Sequence, residues 1–481
     1  MILNFGEPFI FEHWNKLTLI MKTNRRNFLR TAAAGIAAAS LADFSSFASS
    51  PNSIRLPSPE RKGKSVMGFA CEPMTKVRIG LVGLGMRGMD TLSRLMYVDG
   101  IEVTAICDVI PERVAQGKKV VTDAGKKEPV GYSNGDEDWM NLCKRDDVDL
   151  VYSCTPWLWH TPVSVYAMKQ GKHAATEVPA ATSLEECWEL VNTAEETQRH
   201  CMMLENCCYD FFELNTLNMA RQGVFGEIMH AEGAYIHELR WLKFDKEKGY
   251  TGMWRLKFSR DHNGNPYPTH GLGPVAQILC INRGDRMDYL NSMSTNQVGM
   301  SLYAKEKLGP DSPEARQTYL LGDMNTTVIR TLKGKTMMVQ HDTTSPRPYS
   351  RIHMVVGTKG MARKYPLEQI ALEPKAHEWL KDEDYQKLMK QYEHPLATAI
   401  GKKAKEVGGH GGMDFIMDSR LSYCLRKGLP LDQDVYDAAT WSSIVELSNI
   451  SVNNRGNSVE VPDFTRGAWI DAKPVGIVTI E

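Results

Sequence analysis

The sequence predicts an α/β protein in two parts. A doubly wound parallel sheet of the Rossmann type spans residues 75–208, and an α+β domain with a predominantly antiparallel open sheet spans 209–481. Three observations carry this. A glycine-rich turn, Gly83-x-Gly85-x-x-Gly88, interrupts an apolar run and is followed by helical spacing. From there to residue 206, short apolar runs alternate with helical patterns, as parallel strands joined by crossover helices require. Beyond that point alternating strands such as EIMHAEGAYIHELR and NTTVIRTLKGKTMMVQHDT predominate, the pattern of a sheet with one solvated face. That face suits a homo-oligomer.

Residues 1–74 read as a targeting segment and linker. Arg25 and Arg26 in NRRNFLR, the small-residue apolar stretch TAAAGIAAASLA and then SSFASS have the order of a Tat-type export signal. Its core is too short and too weakly apolar for a membrane span, so no stable membrane anchor is expected. Met21 directly precedes KTNRRNFLR, and translation from it would carry the same signal. The expected location is periplasmic or secreted. Tat substrates fold before export, so a nucleotide loaded in the cytoplasm would have to stay bound through turnover.

Val77, Ile79, Leu81 and Val82 suit a buried parallel strand. Gly83 allows the tight turn, Gly85 lets the backbone approach a pyrophosphate, and Gly88 lets the next helix pack closely. A second apolar run, IEVTAICD, ends in Asp108, 25 residues after Gly83. A carboxylate there accepts from ribose hydroxyls and repels a 2′-phosphate, which predicts NAD. Helices follow at PERVAQGKKVVTDAG, TPVSVYAMKQG and SLEECWELVNTAEETQ, with strands at DVDLVYSC, HAATEVP and CMMLEN. Ligands gather at the carboxyl ends of such strands. The expected cofactor-binding residues are therefore Met86 and Arg87, Asp108, the Trp157-Leu158-Trp159-His160 loop, Glu177 and Val178, and Asn206.

The chain carries 57 basic and 58 acidic residues, a balance that points away from nucleic acid and anionic membranes. Without its first 74 residues it retains roughly 400, enough for two domains with separate cores. Its ten cysteines show no CxxC pair and no metal-ligand spacing, so they read as small core residues and no metal is expected.

GNPYPTHGLGP places Tyr267 and His270 three residues apart on a loop stiffened by two prolines. That fits a rigid acid–base platform. It equally fits a stacked tyrosine and a histidine capping the helix that follows.

Strand–TP–xxH, then Glu-x-Pro, then a second domain resembles the glucose–fructose oxidoreductase and inositol dehydrogenase superfamily. Most of that superfamily has lysine where this chain has Val178, which argues against lysine-assisted dehydrogenase chemistry. Together with WLWH, ENCCYD, MWRL, NPYPTHGLGP and GGHGGMDF, the pattern from residue 76 to about 470 resembles glycoside hydrolase family 109. The resemblance implies an NAD-dependent α-N-acetylgalactosaminidase that works by redox-neutral oxidation, elimination, hydration and reduction on a glycan or small glycoside. It implies Tyr267 and His270 as proton-transfer groups with Glu177 as a third. It also implies sugar contacts from Tyr235, Arg255, Tyr267, Pro268, Thr269, His270 and Tyr349. Tyr209 and His410 rank below these, His410 as a turn-shaping residue. Two other readings fit the same fold: a sugar dehydrogenase or keto-sugar reductase, and a non-catalytic NAD-dependent sugar sensor.

Overall fold

A computed structural model describes residues 53–481. The Tat-type segment expected at residues 24–50 lies outside them. Among the described residues no helix is long and apolar enough to cross a membrane.

Six parallel strands form the first sheet: β1 (Val77–Val82), β2 (Ile101–Cys107), β3 (Val130–Tyr132), β4 (Leu150–Ser153), β5 (His173–Thr176) and β6 (Cys201–Met203). Their order is β3-β2-β1-β4-β5-β6, the doubly wound arrangement, with the switch point between β1 and β4. β3 was not foreseen; three residues at a sheet edge carry too little pattern to read. Helices α1 (Met86–Leu95), α2 (Pro111–Asp123), α3 (His160–Lys169) and α4 (Leu184–Thr197) cross over between strands.

The glycine turn is set by sterics. Gly83 sits at φ +90°, and a Cβ there would lie 2.8 Å from the Cys154 backbone. A Cβ on Gly88 would lie 1.9 Å from the Gly83 carbonyl oxygen, so α1 can start this close to β1 only with glycine.

After α5 (Phe211–Arg221) the second sheet begins. It comprises β7 (Ile228–Ile236), β8 (Met287–Ser294), β9 (Asn325–Thr331), β10 (Thr336–Asp342), β11 (Met354–Gly357), β12 (Gly360–Arg363), β13 (Gln369–Leu372) and β14 (Val459–Glu460). The order is β13-β12-β11-β7-β10-β9-β8-β14, antiparallel throughout except for the β7–β10 pair. Helices α6 (Arg240–Phe244), α7 (Trp254–Asp261) and α8 (Thr269–Ile278) lie between β7 and β8. A Cβ on Gly233 of β7 would fall 2.2 Å from the Gly271 carbonyl oxygen, so α8 rests directly on the sheet.

The expectation of separate cores fails. One hydrophobic cluster runs from Val77 and Leu81 through Leu204, Cys208 and Val275 to Trp441 and Phe464. The cause is the return of the chain in α9 (Met413–Lys427), α10 (Val435–Ser442) and α11 (Ile444–Asn453). Arg94 of α1 donates to Asp418 of α9 at 2.7 Å, and Tyr436 of α10 donates to Glu195 of α4 at 2.7 Å. All ten cysteines are free thiols, eight of them buried.

The described part of the expected linker is docked on this body. Ile54 pairs with Val459 beside β14, and Arg61 meets Glu195 at 3.2 Å. The Val66 amide donates to the Tyr436 hydroxyl at 3.0 Å, and Met74 N–H donates to the Leu425 carbonyl at 3.2 Å. Its polar composition suggested a spacer, yet its backbone groups and Val66 find partners.

Candidate active site

A cavity of about 630 Å³ opens at the carboxyl ends of β1, β2, β4 and β5 and is walled on the other side by β7, α7 and α8. Its volume falls within the range of small-molecule sites, roughly 300–1,000 Å³. Gly83, Gly85, Met86, Arg87 and Asp108 line one end, and Tyr235, Arg255, Tyr267 and His270 line the other.

Backbone placement builds the first end. Gly85 begins α1, and a Cβ added to it would have only Arg113 Nη1 nearby, at 3.9 Å, so the position is open to the cavity. Asp108 is held at the tip of β2 by the Leu84 amide at 2.6 Å and the Ile110 amide at 2.9 Å. Arg113 stands 3.7 Å from Asp108 and donates to Thr251 Oγ1 at 3.0 Å, joining the first half to the second across the cavity. Gly88 lies behind the turn and packs on it without lining the cavity.

The Trp157–His160 loop divides its residues. Trp157, Trp159 and His160 line the cavity, whereas Leu158 points to solvent at 70 % exposure and does not. His160 Nδ1 lies 2.7 Å from the Pro179 carbonyl and Nε2 2.8 Å from the Thr155 carbonyl. The ring thus buttresses the loop, and burial lowers its pKa against the pull of those carbonyls.

Beyond β5 the Glu177 carboxylate, expected as a third proton-transfer group, is engaged in a charge network. Glu177 accepts from Arg87 Nε at 2.7 Å, while Val178, also on the wall, is buried. Arg87 donates through its other nitrogens to Asp414 at 2.8 and 3.1 Å. Asp414 also accepts from Asn206 Nδ2 at 2.5 Å and lies 2.8 Å from His410 Nδ1. Burial raises the Asp414 carboxyl, but the Arg87 charge and the hydrogen bonds from His410 and Arg87 hold it well below the usual range. Asp414 thereby orients Arg87, Asn206 and His410, all of which line the cavity.

The second end contains an acid–base relay. His270 sits in the first turn of α8, its Nδ1 2.8 Å from Glu205 Oε1 and its Nε2 3.4 Å from the Tyr267 hydroxyl. Glu205 is fully buried just beyond β6; burial raises its carboxyl, and the His270 charge and hydrogen bond bring it below its ordinary value. Burial pushes the Tyr267 hydroxyl well up, aided by Tyr235 and opposed by Arg255, so it stays protonated. Tyr267 stacks on Trp157 at 5.7 Å, which fixes its plane. Glu205, Cys207 and His270 also place ligand atoms within 4.8 Å of one another, a grouping invisible in sequence spacing. The direct Glu205–His270 hydrogen bond accounts for it as an acid–base pair.

Arg255 lies in a box of aromatic rings, 4.6 Å from Tyr267, 5.0 Å from Trp157 and 5.4 Å from Tyr250. It is 6 % exposed, and its Nη2 has no hydrogen-bond partner among the described residues. Tyr235 donates to or accepts from His237 Nδ1 at 2.9 Å and packs on Tyr267 at 4.6 Å. Burial and the nearby Arg255 push His237 down to about 4, so its ring is neutral. Tyr349 lies outside the lining, half-exposed, 5.0 Å from the His237 ring. Pro268 and Thr269 are buried behind the wall, and Tyr209 turns away to Asp432 at 3.2 Å. Sequence reading missed Glu205, His237, Tyr250, Trp254, Arg113 and Asp414. Glu205 and Trp254 adjoin residues it did select.

A glycine turn and an acid at the second strand tip, facing a histidine–carboxylate pair across one cavity, define a two-part nucleotide-dependent enzyme. Residues 77–205 match the profile of the oxidoreductase family, NAD-binding Rossmann fold. Residues 209–471 match that of the glycosyl hydrolase 109 C-terminal domain. The chain belongs to glycosyl hydrolase family 109. It is 55 % identical over 406 residues to an α-N-acetylgalactosaminidase of Bacteroides fragilis, covering 84 % of this chain and 95 % of that one. A glycosyl hydrolase family 109 protein of Shewanella amazonensis is 49 % identical over 459 residues, 95 % of this chain and 99 % of its own length. Among solved structures, a levoglucosan dehydrogenase in complex with NADH and L-sorbose shares the fold, with a TM-score of 0.60 at 17 % identity over 81 % of this chain and all of that one.

Proposed function

We propose that this chain is an α-N-acetylgalactosaminidase that retains NAD through turnover and is exported in folded form. The observation that carries the reading is the Glu205–His270–Tyr267 relay facing the same cavity as Gly85 and Asp108. The relative of the same family that bears this activity is 55 % identical.

The residues fit NAD. Gly85 leaves space where a side chain would intrude, and Asp108 presents a fixed carboxylate suited to ribose hydroxyls and unsuited to a 2′-phosphate. When bound, NAD supplies a reversible hydride acceptor for a sugar carbon, which leaves no net redox change. Glu205 holds His270 in the tautomer with the proton on Nδ1, so Nε2 is available as a base for an acidified carbon-bound proton. Tyr267, kept protonated by burial, offers its hydroxyl proton to a sugar oxygen. Arg255, on the cavity wall, suits an acetamido or hydroxyl oxygen, and Tyr235 suits the face of a pyranose. No pair of flanking carboxylates is needed, because NAD-dependent glycosidases stand outside that arrangement.

The export part rests on the order of Arg25 and Arg26, a short apolar core and small residues, and predicts periplasmic or secreted enzyme. The purified chain, given no added nucleotide, is expected to release a chromogenic aglycone from α-N-acetylgalactosaminide. Substrate deuterated at carbon 2 is expected to lose label to water. Full retention of that label in released sugar would overturn the elimination chemistry.

A further inference from the structure

The two halves of the chain also meet at the rim of the cavity, on its nucleotide side. Arg113, in the first turn of α2, donates from Nη2 to the Thr251 hydroxyl at 3.0 Å. Its Nη1 stands 3.7 Å from Asp108 Oδ1 and 3.9 Å from the place a Cβ on Gly85 would take. The guanidinium therefore overhangs the two residues that suit ribose and pyrophosphate. Thr251 is exposed and Arg113 half-buried, so the bond bridges the cavity at its solvent edge.

Thr251 is firmly placed. Between α6 and α7, residues 245–253 form a loop held by its own backbone. Asp245 accepts from the Glu247 and Lys248 amides at 2.9 and 2.8 Å, and the Tyr250 amide donates to the Leu242 carbonyl at 3.2 Å. A Cβ on Gly249 would lie 2.3 Å from the Asp245 and Leu242 carbonyl oxygens, so only glycine lets the loop fold this tightly on α6. The Tyr250 hydroxyl accepts from Arg255 Nη1 at 2.8 Å, and its ring packs on Trp254 at 5.1 Å. The second half of the chain thus carries the acceptor, and the first half carries the donor.

We infer that Arg113 and Thr251 form a latch that sets how slowly NAD leaves the cavity. The inference rests on the reading above that the nucleotide stays bound through turnover. Gly85 and Asp108 hold a nucleotide from one side only. A bridge from the opposite wall has to break before a ribose seated on Asp108 can move out across the rim. Its donor is charged, which makes it stronger than a neutral hydrogen bond. The bridge raises the barrier to release and takes no part in the chemistry.

The test follows exchange of the resident nucleotide. Holoenzyme is incubated with excess deuterated NAD, and the nucleotide it retains is released by denaturation and identified by mass at successive times. The native chain is expected to exchange far more slowly than it turns over. Thr251→Val keeps the size and branching but removes the hydroxyl, and should speed exchange by about tenfold or more, the scale of one hydrogen bond to a charged group. Thr251→Ser should restore slow exchange. Arg113→Met should match Thr251→Val, and the double variant should exchange no faster than the faster single one. An unaltered rate in Thr251→Val, or a double variant whose effect is the product of the two, overturns the latch while leaving NAD retention intact. A native chain that exchanges its nucleotide within one turnover removes both.

Discussion

The two ends of the cavity are built by different means. The nucleotide end is set by backbone: the Gly83 turn, the start of α1 at Gly85 and the tip of β2 at Asp108 all follow from sheet geometry. The sugar end is set by side chains from four distant segments, with Glu205, Tyr235, Arg255 and His270 meeting only in the folded chain. Errors at the first end should cost the cofactor, whereas errors at the second should cost chemistry with the cofactor still in place.

The largest effect should come from the relay. His270→Ala is expected to lower kcat by about a hundredfold to ten-thousandfold, the scale of a lost acid–base group. NAD released on denaturation should remain at the native amount. Loss of nucleotide together with activity would show that the two ends are not separable.

The opposite break is Gly88→Val. A Cβ there must clear the Gly83 carbonyl now 1.9 Å away, so α1 has to move off the turn. Nucleotide content by mass spectrometry is expected to fall well below stoichiometric, with partial recovery of activity on added NAD. A variant that keeps its full NAD would break the claim that backbone spacing sets this end.

Arg255→Lys sharpens the sugar end alone. Lysine keeps the charge but lacks the planar fork that the aromatic box surrounds. A drop of about tenfold in kcat/KM is expected, in line with one lost charged hydrogen bond of ~1.5 kcal/mol. Unchanged kcat/KM would remove Arg255 from substrate recognition.

The smallest effect concerns stability behind the sugar wall. Lys243 is buried, its ammonium donating to the Ser259 and Thr343 hydroxyls, and burial pushes its pKa from 10.5 down to about 7. The unfolded chain then binds more protons than the folded one between pH 7 and 10.5, so native stability rises across that window. Relative to Lys243→Met, the native chain should gain at most ~1.4 kcal/mol per pH unit there. Parallel denaturant curves at pH 7 and pH 10 would test it; a constant difference would mean the amine does not titrate in that window.

The same contrast explains what could be read beforehand. Gly83, Gly85, Gly88 and Asp108 are legible because a turn, a close approach and a strand tip each demand a particular residue at a local spacing. Tyr267 and His270 stand out because prolines frame them. Glu205 carries no local signal: its meaning comes from a histidine 65 positions away that meets it across the fold. The engagement of Glu177 is equally hidden, because its partner Arg87 lies 90 positions earlier. Asp414 went unnoticed for the same reason. The hydrophobic periodicity of α9–α11 announces helices but not the face they cover, and hence not the shared core.

The segment that begins at Ile54 gives the molecule a calendar. Arg55 reaches Glu460 across 405 positions, and Ile54 takes its place beside Val459. At about 5–20 residues per second, a ribosome delivers the second partner roughly 20 to 80 seconds after the first. Until then the leading stretch of the body has no edge to dock on, however early β1 to β6 assemble. Final closure is therefore an event that follows synthesis, and in the meantime the segment from Ile54 waits for its partner strand.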